Sequence, residues 1–275
     1  MTIAISIKVN NGIVLATDSA ASITAQGPDG QSLGIVNVYQ NAEKLFNLCK
    51  KKPIGVITWG TGSIGRQSIS TVIKDYRNAL EEQLDQKNGI DIQKITEDFS
   101  KNIFEKYKLA YKEWKGTLPQ IGFLIAGYST GNDFAEEWKF EINNGQMNEP
   151  EAVRGIDQSG MVWNGEPEAI SRILVGTSPL LPQVLKEYGL KAQTINEIIM
   201  LANNRLTIPF IIDAMPIKDA IDLAKFFVEL TINFSKFRPG APTVNEPIDI
   251  AAITKHEGFK WVSRKYYYSN DINPV

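Results

Sequence analysis

The chain has 275 residues, of which 43% are hydrophobic and 22% are charged, a composition typical of a soluble globular protein with one large domain or two small ones. A formal net charge of −2 gives no general attraction to nucleic acid or to an anionic membrane, so neither is expected as a partner. The sequence lacks a run of the roughly 18 to 20 apolar residues that span a bilayer. One cysteine, Cys49, excludes an internal disulfide, which favours a cytoplasmic location.

The first two predicted strands form a hairpin. Apolar residues occupy every second position of IAISIKV, the pattern of a half-buried strand. Asn11-Gly12 is a strong turn signal, and IVLAT continues the chain in the opposite direction. This hairpin places Asp18, after the second strand, at the same sheet end as Thr2, before the first.

The next segment is predicted to begin with a loop over residues 19–43, which contains Gly27, Pro28, Gly30 and Gly34 and ends in the strand-like GIVNVYQ. KLFNL and PIGVITW then form a second hairpin around a lysine-rich turn. GTGSIG follows and matches the G-x-G-x-x-G pattern of dinucleotide-binding oxidoreductases. That alternative requires an acid about 20 residues later at the end of a strand. The chain has the helical NALEEQLDQ there, so a tight turn between strand and helix is favoured.

Two amphipathic helices follow, with apolar stripes that begin at Ile69 and Ile92, and the second stripe extends to Trp114. IGFLIAGYS, AEEWKFEI and GMVWNG are predicted strands. Further helices precede a long helix that begins near Pro216, and a final hairpin closes the chain. Pairs of helices thus interrupt antiparallel strands instead of alternating with them. The predicted fold is α+β, a four-layer α-β-β-α sandwich of two antiparallel sheets, in a single domain over residues 1–275.

The catalytic classes are restricted by the presence of one histidine, His256 in TKHEGF, where we expect an exposed turn. Ser-His-Asp and Cys-His mechanisms would both need it, and zinc sites need several His or Cys ligands. We therefore expect no metal and no cofactor.

A different catalytic group is predicted at the sheet end that holds Thr2. Removal of Met1, which precedes a small residue, exposes a Thr2 α-amine with an ordinary pKa of about 7.7 to 8.0, a base near neutrality. Lys44, in NAEKLFNL, would favour the neutral amine, and Asp18 would fix that lysine. The alternative is a buried Asp–Lys pair in an ordinary sheet, with Thr2 at a frayed terminus.

The first sixty residues resemble the opening of proteasome β-type subunits and their bacterial homologues. The segments that carry this resemblance are TIAISIKVNNGIVLATDSAAS, NAEKLFNL and IGVITWGTG. These families are N-terminal-nucleophile hydrolases with the four-layer sandwich. The later MVWNGEPEAISRIL and the closing helix and hairpin are similar in pattern. The resemblance implies that Thr2 is the nucleophile, with Asp18 and Lys44 as the family's acid and lysine. It also implies a backbone N–H donor to the oxyanion near Trp59 and Gly60.

Two further roles follow from the resemblance. Asn164 takes the place of a serine that supports the terminal amine. After the last long helix the family has an acid and a serine that hold the threonine, whereas this chain has NFSKFRPGAPTVNEP, in which Ser235 is the nearest polar residue. If Ala21 and Val56 face the substrate pocket, small apolar or uncharged side chains fit it.

The predicted function is a threonine-type peptidase or amide hydrolase that acts on a peptide or protein substrate. By resemblance, we expect a homo-oligomeric ring or spiral and an unfoldase partner. The alternatives are a non-catalytic assembly or scaffold protein of the same fold and a small-molecule amidase.

Overall fold

The structure, a computed structural model, describes residues 2–26, 32–86 and 89–266, and within these ranges it contains fifteen strands and six helices. The strands are β1 Ile3–Val9, β2 Gly12–Thr17, β3 Ala21–Gln26, β4 Ser32–Tyr39, β5 Leu45–Asn47, β6 Ile54–Gly60, β7 Ser63–Ile64, β8 Gln67–Ser68, β9 Ile121–Gly127, β10 Glu136–Asn143, β11 Gln146–Met147, β12 Glu151–Ala152, β13 Gly160–Gly165, β14 Asp249–Thr254 and β15 Gly258–Ser263. The helices are α1 Ile69–Gln86, α2 Ile92–Ala110, α3 Glu168–Leu174, α4 Leu181–Glu187, α5 Ala192–Leu206 and α6 Ile217–Phe237.

Most strands belong to two antiparallel sheets. The first has the spatial order β13-β1-β2-β14-β15, and the second has β11-β10-β9-β6-β5, with β12 beside β10. The expected mixture of helices and antiparallel sheets is therefore confirmed.

Strand β1 is buried along its whole length, so the prediction of a half-buried strand is wrong. The isoleucines of β1 belong to an apolar cluster with α6, whereas Ala4 belongs to a second cluster with Ile57 and Leu124 of the other sheet. Because both faces of β1 are covered, its polar residues need partners inside the protein. Ser6 donates to Glu137 (2.6 Å), and the Lys8 ammonium donates to the carbonyl of Ile156 (2.7 Å).

The other sheet packs against α1 and α2. Their predicted stripes are buried in one apolar cluster with strand residues such as Phe123 and Phe140, and Phe99 of α2 makes edge-to-face contacts with both rings. Trp114 lies beyond the end of α2 and is 46% exposed, so the predicted stripe is too long at its C-terminal end.

Residues 19–43 were expected to form a loop with a strand-like GIVNVYQ, but two strands, β3 and β4, lie within this range and pair antiparallel. Its strands contain β-branched residues, which favour extended backbone. Gly27, Pro28 and Gly30 lie outside the described residues. The turn between β1 and β2 is also shifted by one residue, because Val9 pairs with Gly12 and leaves Asn10 and Asn11 as the turn.

GTGSIG is not a direct turn from strand to helix. Gly60 ends β6, and the small β7–β8 hairpin separates it from α1. Gly60 has a φ of +94°, and a Cβ there would lie 2.3 Å from the Gln120 carbonyl oxygen, so glycine is required at this position.

Helices α4 and α5 contribute little to the core. Helix α4 has no buried residue among those described, and Ile195 is the buried residue of α5. Across the described part of the chain, none of the helices combines the length and apolar character needed to cross a membrane.

Candidate functional site

The hairpin of β1 and β2 brings the backbone of Thr2 next to Asp18. Ala4 pairs with Thr17, and one step further the Asp18 amide donates to the Ile3 carbonyl (3.3 Å). The Ile3 amide in turn donates to Oδ1 of Asp18 (3.0 Å). The predicted meeting of the two residues at one sheet end thus follows from local hairpin register.

The Asp18 carboxylate is completely buried and accepts four hydrogen bonds. Three come from backbone amides, those of Ile3, Ala20 (2.9 Å) and Asn245 (3.3 Å). The fourth comes from the Lys44 ammonium at 2.7 Å. Donors from three parts of the chain hold the carboxylate in one orientation and compensate for its burial.

Lys44 lies just before β5, and its carbonyl accepts a hydrogen bond from the Thr58 amide (3.0 Å) of β6. Its side chain is 8% exposed. Burial lowers the pKa of Lys44 from its ordinary value, although the charge of Asp18 opposes this effect. The cavity that Thr2 lines therefore also contains an ammonium that loses its proton more readily than a lysine in water.

Thr2 is 4% exposed, and its backbone is held by the end of β13. Its carbonyl accepts a hydrogen bond from the Glu166 amide (2.7 Å). Gly165, which precedes it, has a φ of +100°, and a Cβ there would lie 1.7 Å from the Thr2 carbonyl oxygen. Only glycine allows this approach. Asn164 lies opposite Ala4, and its Nδ2 is buried without a hydrogen bond within the described residues.

Thr2, Lys44 and Gly60 line one cavity of about 790 Å³. Ala21 also lines it, as expected. Val56 does not, because it is fully buried in the apolar cluster beneath α1 and α2. The cavity therefore brings together Thr2, the lysine of the buried ion pair and a strand end that is restricted to glycine.

Ser235 lies elsewhere. Its hydroxyl accepts hydrogen bonds from the amides of Thr243 (3.1 Å) and Val244 (3.4 Å), in the loop after α6, and lines a second cavity of about 170 Å³. The same loop carries the Asn245 amide to Asp18. Ser235 therefore reaches the Thr2 site only indirectly: its hydroxyl binds the Val244 amide, and the amide of the next residue, Asn245, binds Asp18.

Sequence reasoning missed a second buried pair, Asp249–Lys265, at this sheet end. The Lys265 ammonium bonds the Asp249 carboxylate and also donates to the Ser19 hydroxyl at 2.6 Å. Ser19 donates to the Pro247 carbonyl (2.6 Å). No signal near Lys265 marks this contact, because its partners are far away in sequence.

A second missed group lies in the cavity itself. Glu43 accepts hydrogen bonds from Ser70 and Lys74 of α1. Its position next to Lys44 was a usable signal. His256 occupies an exposed turn, as expected, and the described residues contain no cluster of three or more His, Cys, Asp or Glu side chains placed to hold a metal ion.

No protein-family model and no curated protein matches the sequence. Solved structures do resemble the chain. One, described as Anbu (ancestral beta-subunit) from Yersinia bercovieri, superposes with a TM-score of 0.50 at 12% identity and covers 97% of this chain and 89% of its own. Another, described as the helical assembly of the Anbu complex from Pseudomonas aeruginosa, gives 0.49 at 12% identity, over 98% and 90% of the two chains.

These findings correct the family assignment. The assignment to proteasome β-type subunits and their bacterial homologues is wrong, because no family model supports it and the structures found are Anbu proteins at 12% identity. At that identity, the likeness to the Yersinia protein extends to the fold alone.

Proposed function

We propose that this chain hydrolyses amide bonds with Thr2 as an N-terminal nucleophile, after cleavage of the Met1–Thr2 bond. Met1 lies outside the described residues. The observation that carries the proposal is the buried Asp18–Lys44 pair, whose lysine lines the same cavity as Thr2. A buried ion pair by itself is weak evidence of function, but a pair that opens beside a hydroxyl and a potential amine is typical of an activated nucleophile.

The proposed reaction begins with attack of Thr2 Oγ1 on the substrate carbonyl carbon. The hydroxyl proton passes to the neutral α-amine as the carbon–oxygen bond forms. The protonated amine then gives this proton to the leaving nitrogen as the amide bond breaks, which leaves a Thr2 ester. Water hydrolyses the ester, with the amine again as base, and restores the hydroxyl.

The other residues have supporting roles in this proposal. Lys44 disfavours protonation of the nearby amine and stabilises negative charge on Oγ1, while Asp18 fixes Lys44. The backbone near Gly60 donates to the oxyanion. Asn164 binds the α-amine through its side-chain amide, and Ser235 holds the loop whose Asn245 amide binds Asp18.

We further infer a four-layer α-β-β-α sandwich in a single domain over residues 1–275. Three apolar clusters support this arrangement: one joins α1 and α2 to the second sheet, one joins both sheets, and one joins the first sheet to α6. Since apolar faces must be covered, such clusters favour alternating layers.

Self-association into a ring or spiral is part of the proposal. Its support is a set of exposed apolar side chains on α4 and α5 and at their ends: Leu180, Val184, Tyr188, Met200 and Leu201. Contiguous apolar exposure favours protein contacts. Light scattering should give a mass of several subunits, and a monomer at micromolar concentration would contradict this part.

The central test is intact mass spectrometry before and after reaction with a peptide epoxyketone, which closes a ring on a hydroxyl and an adjacent amine. We expect a mass without Met1 and one adduct at Thr2. Thr2→Ala should abolish adduct and hydrolysis, whereas the control Thr24→Ala, on exposed β3, should retain both.

The same experiment separates the alternatives. Retained Met1 with no adduct would contradict the hydrolase and favour a non-catalytic assembly protein of the same fold. An adduct without cleavage of any peptide, together with hydrolysis of small amides, would identify a small-molecule amidase.

A further inference from the structure

A partly buried carboxylate without a role in the proposed chemistry lies in the Thr2 cavity. Glu43 precedes Lys44, lines the same cavity and has a side chain that is 12% exposed. The two neighbours serve different partners, since Lys44 binds Asp18 whereas Glu43 binds Ser70 and Lys74 of α1. Glu43 thus places a second acid between the Lys44 site and the first helix.

Both partners of Glu43 use the same oxygen. The Ser70 hydroxyl and the Lys74 ammonium, the latter at 2.7 Å, donate to Oε2. Among the described residues, none donates to Oε1. A carboxylate oxygen has two acceptor positions, and Oε1 is not among the completely buried side-chain atoms that lack a hydrogen bond, so it is open to the cavity solvent. Oε1 is therefore available to a donor on a ligand in the cavity.

Glu43 remains ionised at neutral pH. Burial acts to raise the pKa of its carboxyl, but the hydrogen bonds from Lys74 and Ser70, with the charges of Lys74 and Arg264, outweigh burial and lower that pKa from its ordinary value. A ligand in the cavity thus meets a carboxylate and not a neutral acid.

The counter-ion of Glu43 is easily displaced. The Lys74 side chain is 41% exposed, and an ion pair with one partner in solvent has a small net stabilising effect. Lys44, by contrast, is held by the fully buried Asp18. A second cation can replace Lys74, which then returns to water at little cost, while the Ser70 hydroxyl continues to hold Oε2.

The walls around Glu43 leave space for a ligand side chain. The apolar residues among those that line the cavity include Ala20, Ala21, Ala42 and Ile69. Small apolar walls accommodate the methylene stem of a long cationic side chain, while its charged end reaches the carboxylate. A guanidinium or amidine fits best because its planar N–H groups match a carboxylate.

We propose that Glu43 is a specificity-determining residue that selects a cationic group, guanidinium or amidine, in the Thr2 cavity. The extension to substrates rests on the proposed hydrolase function, under which the preferred amides carry an arginine-like side chain beside the bond that is cleaved. This proposal replaces the sequence-based expectation that small apolar or uncharged side chains fit the cavity. That expectation depended on Ala21 and Val56, and Val56 does not line the cavity.

The test is calorimetric titration of the full chain with three probes of one shape: benzamidine, neutral benzamide and anionic benzoate. We expect benzamidine to bind about tenfold more tightly than benzamide, the equivalent of one hydrogen bond to a charged group. Glu43→Gln should reduce that ratio to about one. The control Glu82→Gln, on an exposed position of α1, should keep the wild-type ratio.

Lys74→Met tests the same site without removing its acid. Loss of the competing ammonium should strengthen benzamidine binding severalfold, and thermal melts of each variant verify folding. Equal affinity for the three probes, tighter binding of benzoate, or an unchanged ratio in Glu43→Gln would overturn the proposal.

A second readout separates this proposal from the hydrolase. Binding of benzamidine needs no turnover, so it tests Glu43 even if Thr2 forms no adduct. If the chain does cleave amides, the rate ratio of arginine to leucine substrates should fall about tenfold in Glu43→Gln. Cleavage without any arginine preference would leave the hydrolase intact and overturn the role of Glu43.

Discussion

Two buried Asp–Lys pairs lie at the same end of the first sheet, and they differ in what surrounds them. Asp18–Lys44 has side chains 0% and 8% exposed, and Asp249–Lys265 has 3% and 6%. Lys44 lines the cavity that contains Thr2, whereas the ammonium of Lys265 donates to the Ser19 hydroxyl and its backbone amide donates to the Asp249 carboxylate. The two pairs are therefore buried to a similar extent, but Lys44 lines the Thr2 cavity and Lys265 does not.

Burial and charge therefore do not by themselves identify a catalytic group. Either pair leaves an uncompensated charge if one partner is removed, which is strongly destabilising. Under the proposed function, the pair whose lysine lines the Thr2 cavity also takes part in the chemistry. The two pairs are coupled through Ser19, which is adjacent to Asp18 in sequence and accepts a hydrogen bond from Lys265.

The largest expected effect separates the pairs by activity. Lys44→Met removes the cation beside Thr2, and we expect amide hydrolysis per folded molecule to fall about a thousandfold, the scale of a lost acid–base group. Steady-state kinetics on a peptide amide measure it. Lys50→Met, at an exposed turn, is the control and should keep wild-type activity. If activity falls less than tenfold in Lys44→Met, the Asp18–Lys44 pair stabilises the fold as Asp249–Lys265 does and has no catalytic role.

The second prediction compares the two ion pairs by their contribution to stability. Lys265→Met leaves the buried Asp249 carboxylate without its cation, and we expect the free energy of unfolding to fall by about 3 kcal/mol. Activity per folded molecule should fall less than tenfold, because the Asp18–Lys44 pair remains. Urea denaturation gives the first quantity and kinetics the second. Lys260→Met, exposed on β15, should change neither.

The double variant Asp249→Asn/Lys265→Met checks the cause of that loss. Replacing both partners removes the isolated charge, so the double variant should be more stable than Lys265→Met alone, within about 2 kcal/mol of wild type. If it is as unstable as the single variant, packing of the lysine stem is responsible and not charge.

The sequence predicted the first pair and not the second for a physical reason. Asp18 and Thr2 meet through a hairpin, whose register is local, and Lys44 lies just before β5, within the first 45 residues of the chain. Lys265 reaches Ser19 across 246 residues, a contact that depends on how β14 and β15 join the sheet. The complete burial of β1 was missed for the same reason, since it depends on α6 and the second sheet.

Ser19 provides a smaller test of the coupling between the pairs. Its hydroxyl donates to the Pro247 carbonyl and accepts from Lys265, so Ser19→Ala removes two buried hydrogen bonds and should lower the free energy of unfolding by about 1 to 2 kcal/mol. The midpoint of urea denaturation measures this. Ser263→Ala, which loses one exposed bond to the Ile248 carbonyl, should change it by less than about 0.5 kcal/mol.

The smallest expected effect is a displacement of the pH profile of kcat/KM. The rate should rise with pH as the Thr2 α-amine loses its proton. It should fall at higher pH as Lys44 loses its charge, at a pKa that burial lowers from the ordinary lysine value.

Asp18 and Asp249 act to raise the Lys44 pKa, and Lys265 acts to lower it. Lys265→Met removes a repelling cation, so the Lys44 pKa should rise and the falling limb should move to higher pH. Asp249→Asn/Lys265→Met also removes an attracting anion, so the limb should return toward its wild-type position. A limb that stays in place in both variants would mean that the second pair stabilises the sheet end without influencing the charge of the first.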